Sequence, residues 1–414
     1  MFVGVNHHKQ SIIFGAALLY DETIPTFRWL FDTFVKAMSG KKPKSIFTDQ
    51  DAAMASALAS QWPETCHRLC IWHIYQNAAT HLSHVFEKFE NFAKEFSNCV
   101  YDHEEEAEFI DAWNKMLAKY NLQENDWLKR LFELKEKWAL VYGRHTFSAE
   151  ITTTQRSESL NSVIKRHVSY KYDLLRFFRR FEKLVEDRRY EELKSDFQAS
   201  QSFPAMSFPV EILKHTAKVY TPQIFKLFQI QLCRAHDCAV MDFGTTGIVK
   251  KYGVIPNGKK YHRTIIFDSL SNNLSCSCRR FEFAGFLCSH ALKVLFIHNI
   301  KSIPTQYILK RWTKDVKSGC TNIHSQSTSA DDPKVAIARR YRELRRLRIQ
   351  LATRASTTDK AYEIAIAGLN KTLAEVDASL RGLIPFRKLH KLNPLLIVYL
   401  NNMLFFLLMM IISR

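Results

Sequence analysis

The spacing of apolar residues changes several times along the chain, and each change predicts a different kind of element. Residues 2–5 and 12–19 are β-rich and flank the polar run Asn6-His-His-Lys-Gln10, which predicts a hairpin. Asp21 and Thr23 are candidate caps for the helix that follows. In it Phe27, Leu30, Phe31, Phe34, Val35 and Met38 recur at steps of three and four, forming one apolar face, and Gly40 ends it. Residues 45–48 read as a short strand that delivers Asp49 at its end. A second helix starts at Ala52, and 66–72 reads as a further strand. Hairpin, helix, strand, helix, strand is an α/β pattern.

From about residue 73 to 142 the pattern is helical, charged and rich in Trp and Phe, without strand alternation. Another long helical stretch covers 152–192 and is strongly basic between Lys165 and Arg189. Strand signals return at 247–255 and 261–268, and a Cys/His cluster follows them. Residues 321–333 form a polar linker, and a charged helix runs from about Lys334. Tyr362, Ile366, Leu369, Leu373, Val376 and Leu380 alternate steps of four and three, a heptad seam. That seam either pairs with another helix or is buried against the protein's own domain.

Residues 395–412 are apolar except for Asn401 and Asn402, and these 18 residues reach the lower limit for a membrane span. A tail anchor, a buried helix and sequence foreign to the protein are the three readings. The abrupt change of composition after Pro394 favours the last two, so a membrane is not an expected partner.

Composition sharpens this picture. Of 414 residues, 46% are hydrophobic and 24% charged, as in a globular protein with room for two or three cores. A balance of 59 Lys+Arg against 41 Asp+Glu leaves +18, which favours a polyanionic partner. Nucleic acid is the simplest such partner, because each neutralised phosphate releases counterions; an acidic membrane surface would attract the same surplus. Nine cysteines are sparse, and the first residues lack the basic and apolar regions of a signal peptide. Reduced thiols in a cytosolic or nuclear compartment are expected, serving as metal ligands or core filler.

The cluster is Cys276-Ser-Cys278, nine residues, then Cys288-Ser-His290 opening an apolar helical run. A hairpin offering two thiolates and a helix start offering a thiolate and an imidazole can close a tetrahedral zinc site of three sulfurs and one nitrogen. Four protein ligands leave no open position, so the expected zinc is structural.

Cys-x-Cys with Gly285-Phe-Leu-Cys-Ser-His290 resembles a SWIM zinc finger. Phe2-Val-Gly-Val-Asn-His-His8, Thr48-Asp-Gln-Asp51, Cys70-Ile-Trp-His73 and Thr153-Thr-Gln-Arg-Ser-Glu-Ser-Leu-Asn161 resemble the Mutator-like (MULE) transposase domain. Together, over roughly residues 1–380, they look most like the plant FAR-RED IMPAIRED RESPONSE and FAR-RED-related-sequence family. The resemblance implies an RNase H-like core at 1–200 with a helical insertion at about 74–150. It further implies a small ββα finger region at 205–320. A helical segment at 334–382, a possible coiled coil, and the apolar tail at 394–414 complete the expected organisation.

It also implies a nuclear, DNA-associated, zinc-containing regulator of transcription in light responses, pairing with itself or with family members. The family's further N-terminal zinc-binding domain and the strand before the hairpin are expected to be missing here. Strand transfer by such a core needs three carboxylates holding two divalent ions. By resemblance Asp49 is the second and Glu158 the third, while the first would precede Phe2. Asp21 and Asp32 are not placed to substitute, so no active catalytic residue is expected. The alternative is a transposase whose first Asp lies upstream. Plainer readings stand beside these: Asp49 as a helix cap, Glu158 as a first-turn carboxylate, and Cys70 with His73 in packing or support. The basic runs 339–348 and 176–181 read either as phosphate contacts or as a solvated helix face and core aromatics.

Overall fold

The turn Asn6–Gln10 closes on a side chain. Asn6 Oδ1 accepts from the backbone N–H groups of His8 and Gln10, both at 2.9 Å, and Lys9 takes a left-handed φ of 57°. This Asx-type turn joins β1 (Phe2–Val5) to β2 (Ser11–Gly15) in antiparallel register. The structure is a computed structural model. It describes residues 1–414 apart from 18, 104, 155, 157–158, 160–173, 260, 318–343, 345–346, 348–350, 353, 382–408 and 412–414.

Helix α1 (Ile24–Ala37) buries the face that its spacing predicts, through Phe27, Leu30, Phe31 and Phe34. Thr23 at its N-cap makes no side-chain cap bond. Asp21 instead accepts from the Thr23 backbone N–H and hydroxyl and from the Thr26 hydroxyl. Gly40 follows the helix with φ 82°, a conformation few other residues tolerate. β3 (Ser45–Thr48) is buried along its length and runs parallel to β4 (Cys66–Leu69), with α2 (Ala52–Gln61) between them in sequence. The strand expected over 66–72 is shorter than its apolar run, because Cys70 serves as N-cap of the next helix and Ile71 already lies inside it.

Seven helices follow before the chain returns to the sheet: α3 (Ile71–His81), α4 (Ser83–Lys88), α5 (Phe92–Tyr101), α6 (Glu106–Lys119), α7 (Asp126–Glu133), α8 (Lys135–Trp138) and α9 (Leu140–Gly143). They carry a core of their own, in which Phe92, Phe96, Phe109, Trp113 and Trp138 are fully buried. Two side chains of β4 reach into them: Leu69 joins their apolar core, and Arg68 meets their backbone. The Arg68 guanidinium donates to the carbonyls of Glu136, Trp138 and Ala139 at 3.0–3.1 Å. Burial pushes its pKa down to about 10. Gly143 makes room, since a Cβ there would stand 2.3 Å from the guanidinium.

After α10 (Leu174–Gln201), α11 (Glu211–Val219) and α12 (Pro222–His236), a second, antiparallel sheet is built. Its strands lie in the order β5 (Ala239–Thr246), β6 (Val249–Ile255), β7 (Arg263–Asp268) and β8 (Asn273–Cys276). The expected ββα unit therefore gains two strands. β5 was missed because it is exposed along most of its length and lacks a clean alternation, and β8 because four residues give no period. Helices α13 (Arg280–Ala284) and α14 (Ser289–Ile297) follow. One interior joins both halves: Val5 and Phe47 of the first sheet share a cluster with Phe225, Phe228, Leu287, Leu292 and Trp312.

The helix α15 (Asp359–Arg381) belongs to a separate compact unit, Cys320–Met403. Its seam residues Tyr362, Ile366, Leu369, Leu373 and Val376 are exposed, not buried. In the first unit, which joins Met1–Gly319 with Leu404–Arg414, β9 (Met409–Ile411) lies between β1 and β3, antiparallel to the former and parallel to the latter. The first sheet thus reads β2-β1-β9-β3-β4. Part of the apolar tail, for which an anchor, a buried helix and foreign sequence are the three readings, is a strand at these three residues, because two buried strands offer it paired edges on both sides. No described helix is long and apolar enough to cross a membrane.

Two tests follow from this packing. Gly143→Ala should cost about 1–3 kcal/mol by urea unfolding, because the guanidinium it meets is pinned by three carbonyls. The cost should shrink markedly in an Arg68→Ala background, and additivity of the two changes would refute the contact. His67, bonded to the Thr48 hydroxyl at 2.8 Å, has its pKa lowered to about 4 by burial and by Lys137. The unfolded chain takes up this proton near pH 6.5 and the folded chain only near 4, so stability falls across that window as pH is lowered. Wild type should lose up to roughly 3 kcal/mol more than His67→Gln between pH 7 and 4.

Candidate functional site

The four candidate zinc ligands converge. β8 delivers Cys276, and Arg279, in the left-handed region with φ 49°, returns its N–H to the Cys276 carbonyl at 2.9 Å. That tight turn brings Cys278 back, so the two sulfurs lie 3.3 Å apart. A second left-handed residue, Gly285 with φ 83°, ends α13 and packs under the Trp312 indole and Phe147. Cys288 then N-caps α14, its sulfur accepting from the Ala291 N–H at 3.4 Å, and His290 stands in the first turn. Ser289 N–H donates to Gln231 Oε1 at 3.2 Å, which pins the helix start to α12.

Cys276 Sγ lies 3.7 Å from His290 Nδ1, and the ligating atoms of all four residues lie within 4.8 Å of one another. A tetrahedral zinc with ordinary bond lengths sets its sulfurs ~3.8 Å apart and sulfur from nitrogen ~3.5 Å. The donor set therefore fits zinc with small adjustments. Hydrogen bonds from Cys276, Cys278 and the Ala291 N–H hold the buried Cys288 thiol well below its ordinary pKa, while hydrogen bonding to Cys278 and Cys288, with burial, pushes Cys276 well above. Three thiols this close cannot all ionise unless a cation offsets them.

The finger is keyed into the first half. Glu150 binds Lys9 at 2.7 Å and also pairs with Arg280, and the Ser148 N–H donates to the Phe283 carbonyl at 3.0 Å. Trp312 donates to the Ala284 carbonyl at 3.0 Å, while the half-buried Arg311 donates to the Val5 carbonyl at 2.8 Å across the Phe147 and Trp312 rings.

Asp49 sits just beyond the end of β3, half-buried, its Oδ1 accepting from the Asp51 N–H at 3.2 Å. The cap of α2 is Asp51, whose carboxylate accepts from Met54 N–H at 2.7 Å, so the helix-cap reading of Asp49 passes to its neighbour. Glu158 lies outside the described residues, as does every residue of the basic run 339–348 except Leu344 and Leu347, which are exposed. In the other basic run Phe178 is exposed, whereas Phe181 packs against the Val3, Ile13 and Val185 cluster.

Cys70 and His73 join no group of three or more ligating side chains among the described residues. The buried Cys70 sulfur instead accepts from the Thr154 N–H at 3.2 Å and the Thr154 hydroxyl at 3.1 Å. Burial would raise this thiol, but bonds from His73 and Thr154 outweigh it and lower its pKa. The motif stitches the start of the helical insertion to its end. A second convergent group, His7, His8 and Asp196, went unseen in the sequence. Its only signal is two adjacent histidines in a turn, since Asp196 lies 188 residues from His8.

Residues 1–77 match the MULE transposase domain, and residues 261–299 match the SWIM zinc finger. Three Arabidopsis thaliana proteins are similar over nearly the whole chain. Protein FAR-RED IMPAIRED RESPONSE 1 is 35% identical over 373 residues, 90% of this chain and 44% of that protein. Protein FAR1-RELATED SEQUENCE 5 is 33% identical over 384 residues, 92% of this chain and 48% of that protein. Protein FAR1-RELATED SEQUENCE 9 is 31% identical over 383 residues, 91% of this chain and 69% of that protein. The chain thus spans about half the length of the first two relatives. No solved structure matches it significantly. With both domain matches in order and a relative covered over 69% of its length, the chain belongs to the FAR-RED IMPAIRED RESPONSE 1 and FAR1-related-sequence family, carrying a MULE transposase domain and a SWIM zinc finger.

Proposed function

We propose that the protein is a zinc-binding, DNA-associated transcription regulator of the nucleus, derived from a Mutator-like transposase and acting in plant light responses. The observation that carries the zinc reading is the closed set Cys276, Cys278, Cys288 and His290, four ligands with no position left for substrate. The metal would lock β8 to α14 and so fix the surface of the finger. The regulatory part of the reading rests on the family and on the +18 charge, which suits DNA. The exposed heptad seam of α15 supports pairing with a second copy or with a family member.

An RNase H-like core is supported by the hairpin set beside a parallel pair, with Asp49 at the end of β3. The place between β1 and β3, where that fold's leading strand would carry a carboxylate, is taken by Met409–Ile411, which contains none. This favours a core without catalysis. The second reading, a transposase that gains its first carboxylate from an upstream segment, draws on Asp49 alone.

Metal analysis of the full chain tests the finger. Wild type should hold a zinc equivalent that both Cys288→Ser and His290→Ala lose, together with folded structure around the finger. A well-folded wild type without that equivalent would remove the proposal's main support. DNA and catalysis are tested together with a nonspecific duplex. Binding should weaken by orders of magnitude between about 50 and 200 mM salt. No Mg²⁺- or Mn²⁺-dependent strand cleavage should appear, and cleavage that Asp49→Asn abolishes would establish the transposase instead.

A further inference from the structure

We propose that His7, His8 and Asp196 form a second transition-metal site, of nitrogen and oxygen donors, that ties the first hairpin to helix α10. Adjacent residues on a strand point to opposite faces, so two neighbouring imidazoles meet at one point only if the backbone is turned for it. Here it is turned. Asn6 organises the bend and Lys9 takes the left-handed conformation. As a result His7 Nε2 and His8 Nε2 stand 2.7 and 2.8 Å from the same oxygen, Asp196 Oδ1. The three ligating atoms lie within 4.8 Å of one another, and both imidazoles are about 95% buried.

The surroundings suit a divalent cation. Asp196 Oδ2 and Glu192 Oε1 share Lys317 at 2.6 and 2.5 Å, so the group carries two carboxylates against one ammonium and keeps a net negative charge. Asp196 thus spends Oδ1 on both imidazoles and Oδ2 on Lys317. The support is rigid: Gln10 Nε2 donates to Ser195 Oγ at 2.8 Å, and the Thr221 hydroxyl donates to the His7 carbonyl at 2.8 Å.

Two imidazoles and a carboxylate select zinc or a neighbouring first-row ion over magnesium or calcium. The site lies away from Asp49. β1 runs antiparallel to β9, and β9 parallel to β3, so the turn after β1 stands at the end of the sheet opposite to Asp49.

Cobalt titration of the full chain, stripped of metal under reducing conditions, separates this site from the finger. Two equivalents should bind. One should show thiolate-to-cobalt charge transfer, and the other only the weaker d–d bands of nitrogen and oxygen donors. Asp196→Asn and His8→Gln should each weaken the second equivalent by at least about tenfold while leaving the thiolate bands intact. Cys288→Ser should do the reverse, so failure of either site is read independently of the other. The intact thiolate spectrum reports that the two variants remain folded. A single equivalent in wild type, or a second one unmoved in both variants, would overturn the proposal and leave a hydrogen-bonded cluster.

Discussion

Half of the finger's ligand set is positioned by an interior that the finger shares with the first sheet. Two of its four ligands sit at the start of α14, and that helix is held by burying Ala291, Leu292 and Leu295 in a cluster that also contains Val5 and Phe47 of the first sheet. Apolar burial of this kind is nondirectional, and at about 25 cal/mol per Å² it supplies strength without fixing orientation. Orientation comes from a few polar ties laid across it, namely Gln231 to the helix start, Trp312 to the Ala284 carbonyl and Glu150 between Lys9 and Arg280. A metal at the finger would therefore stiffen the seam between two halves as well as its own loop.

Much of this was legible in the sequence where the period was strong. The α1 face, the hairpin turn, the β3 strand and the Cys/His spacing lie where the residues place them, because each is a local pattern, although β2 stops at Gly15 rather than running on to Leu19. What escaped were features decided at a distance. β4 is shorter than the pattern over 66–72 predicts because Ile71 and Trp72 are apolar in either a strand or a helix, and only the cap at Cys70 decides. Nothing near His7 announces Asp196, and nothing near Phe2 announces Met409–Ile411 as its neighbour. Long-range pairing of buried polar groups leaves no periodic trace.

Cys70 shows how a motif can be read correctly and still be underestimated. A thiol and an imidazole at that spacing suggest metal or a nucleophile, yet the sulfur is spent as an acceptor for both donors of Thr154. Sulfur is a weak acceptor, but a buried donor left without a partner costs about 1–3 kcal/mol, so the contact matters more for what it prevents. The Ile71 N–H, bonded to the Thr152 carbonyl at 3.2 Å, closes the same junction.

That junction makes the seven-helix insertion a nearly self-contained unit. Its chain enters and leaves at one point, and its aromatic core is its own, so the sheet experiences it chiefly as a closed loop. Doubling the length of such a loop costs only about 0.6 kcal/mol of closure entropy. Changes in the length or surface of these helices should therefore leave the sheet and the finger little altered, provided that Arg68 still finds its three carbonyls.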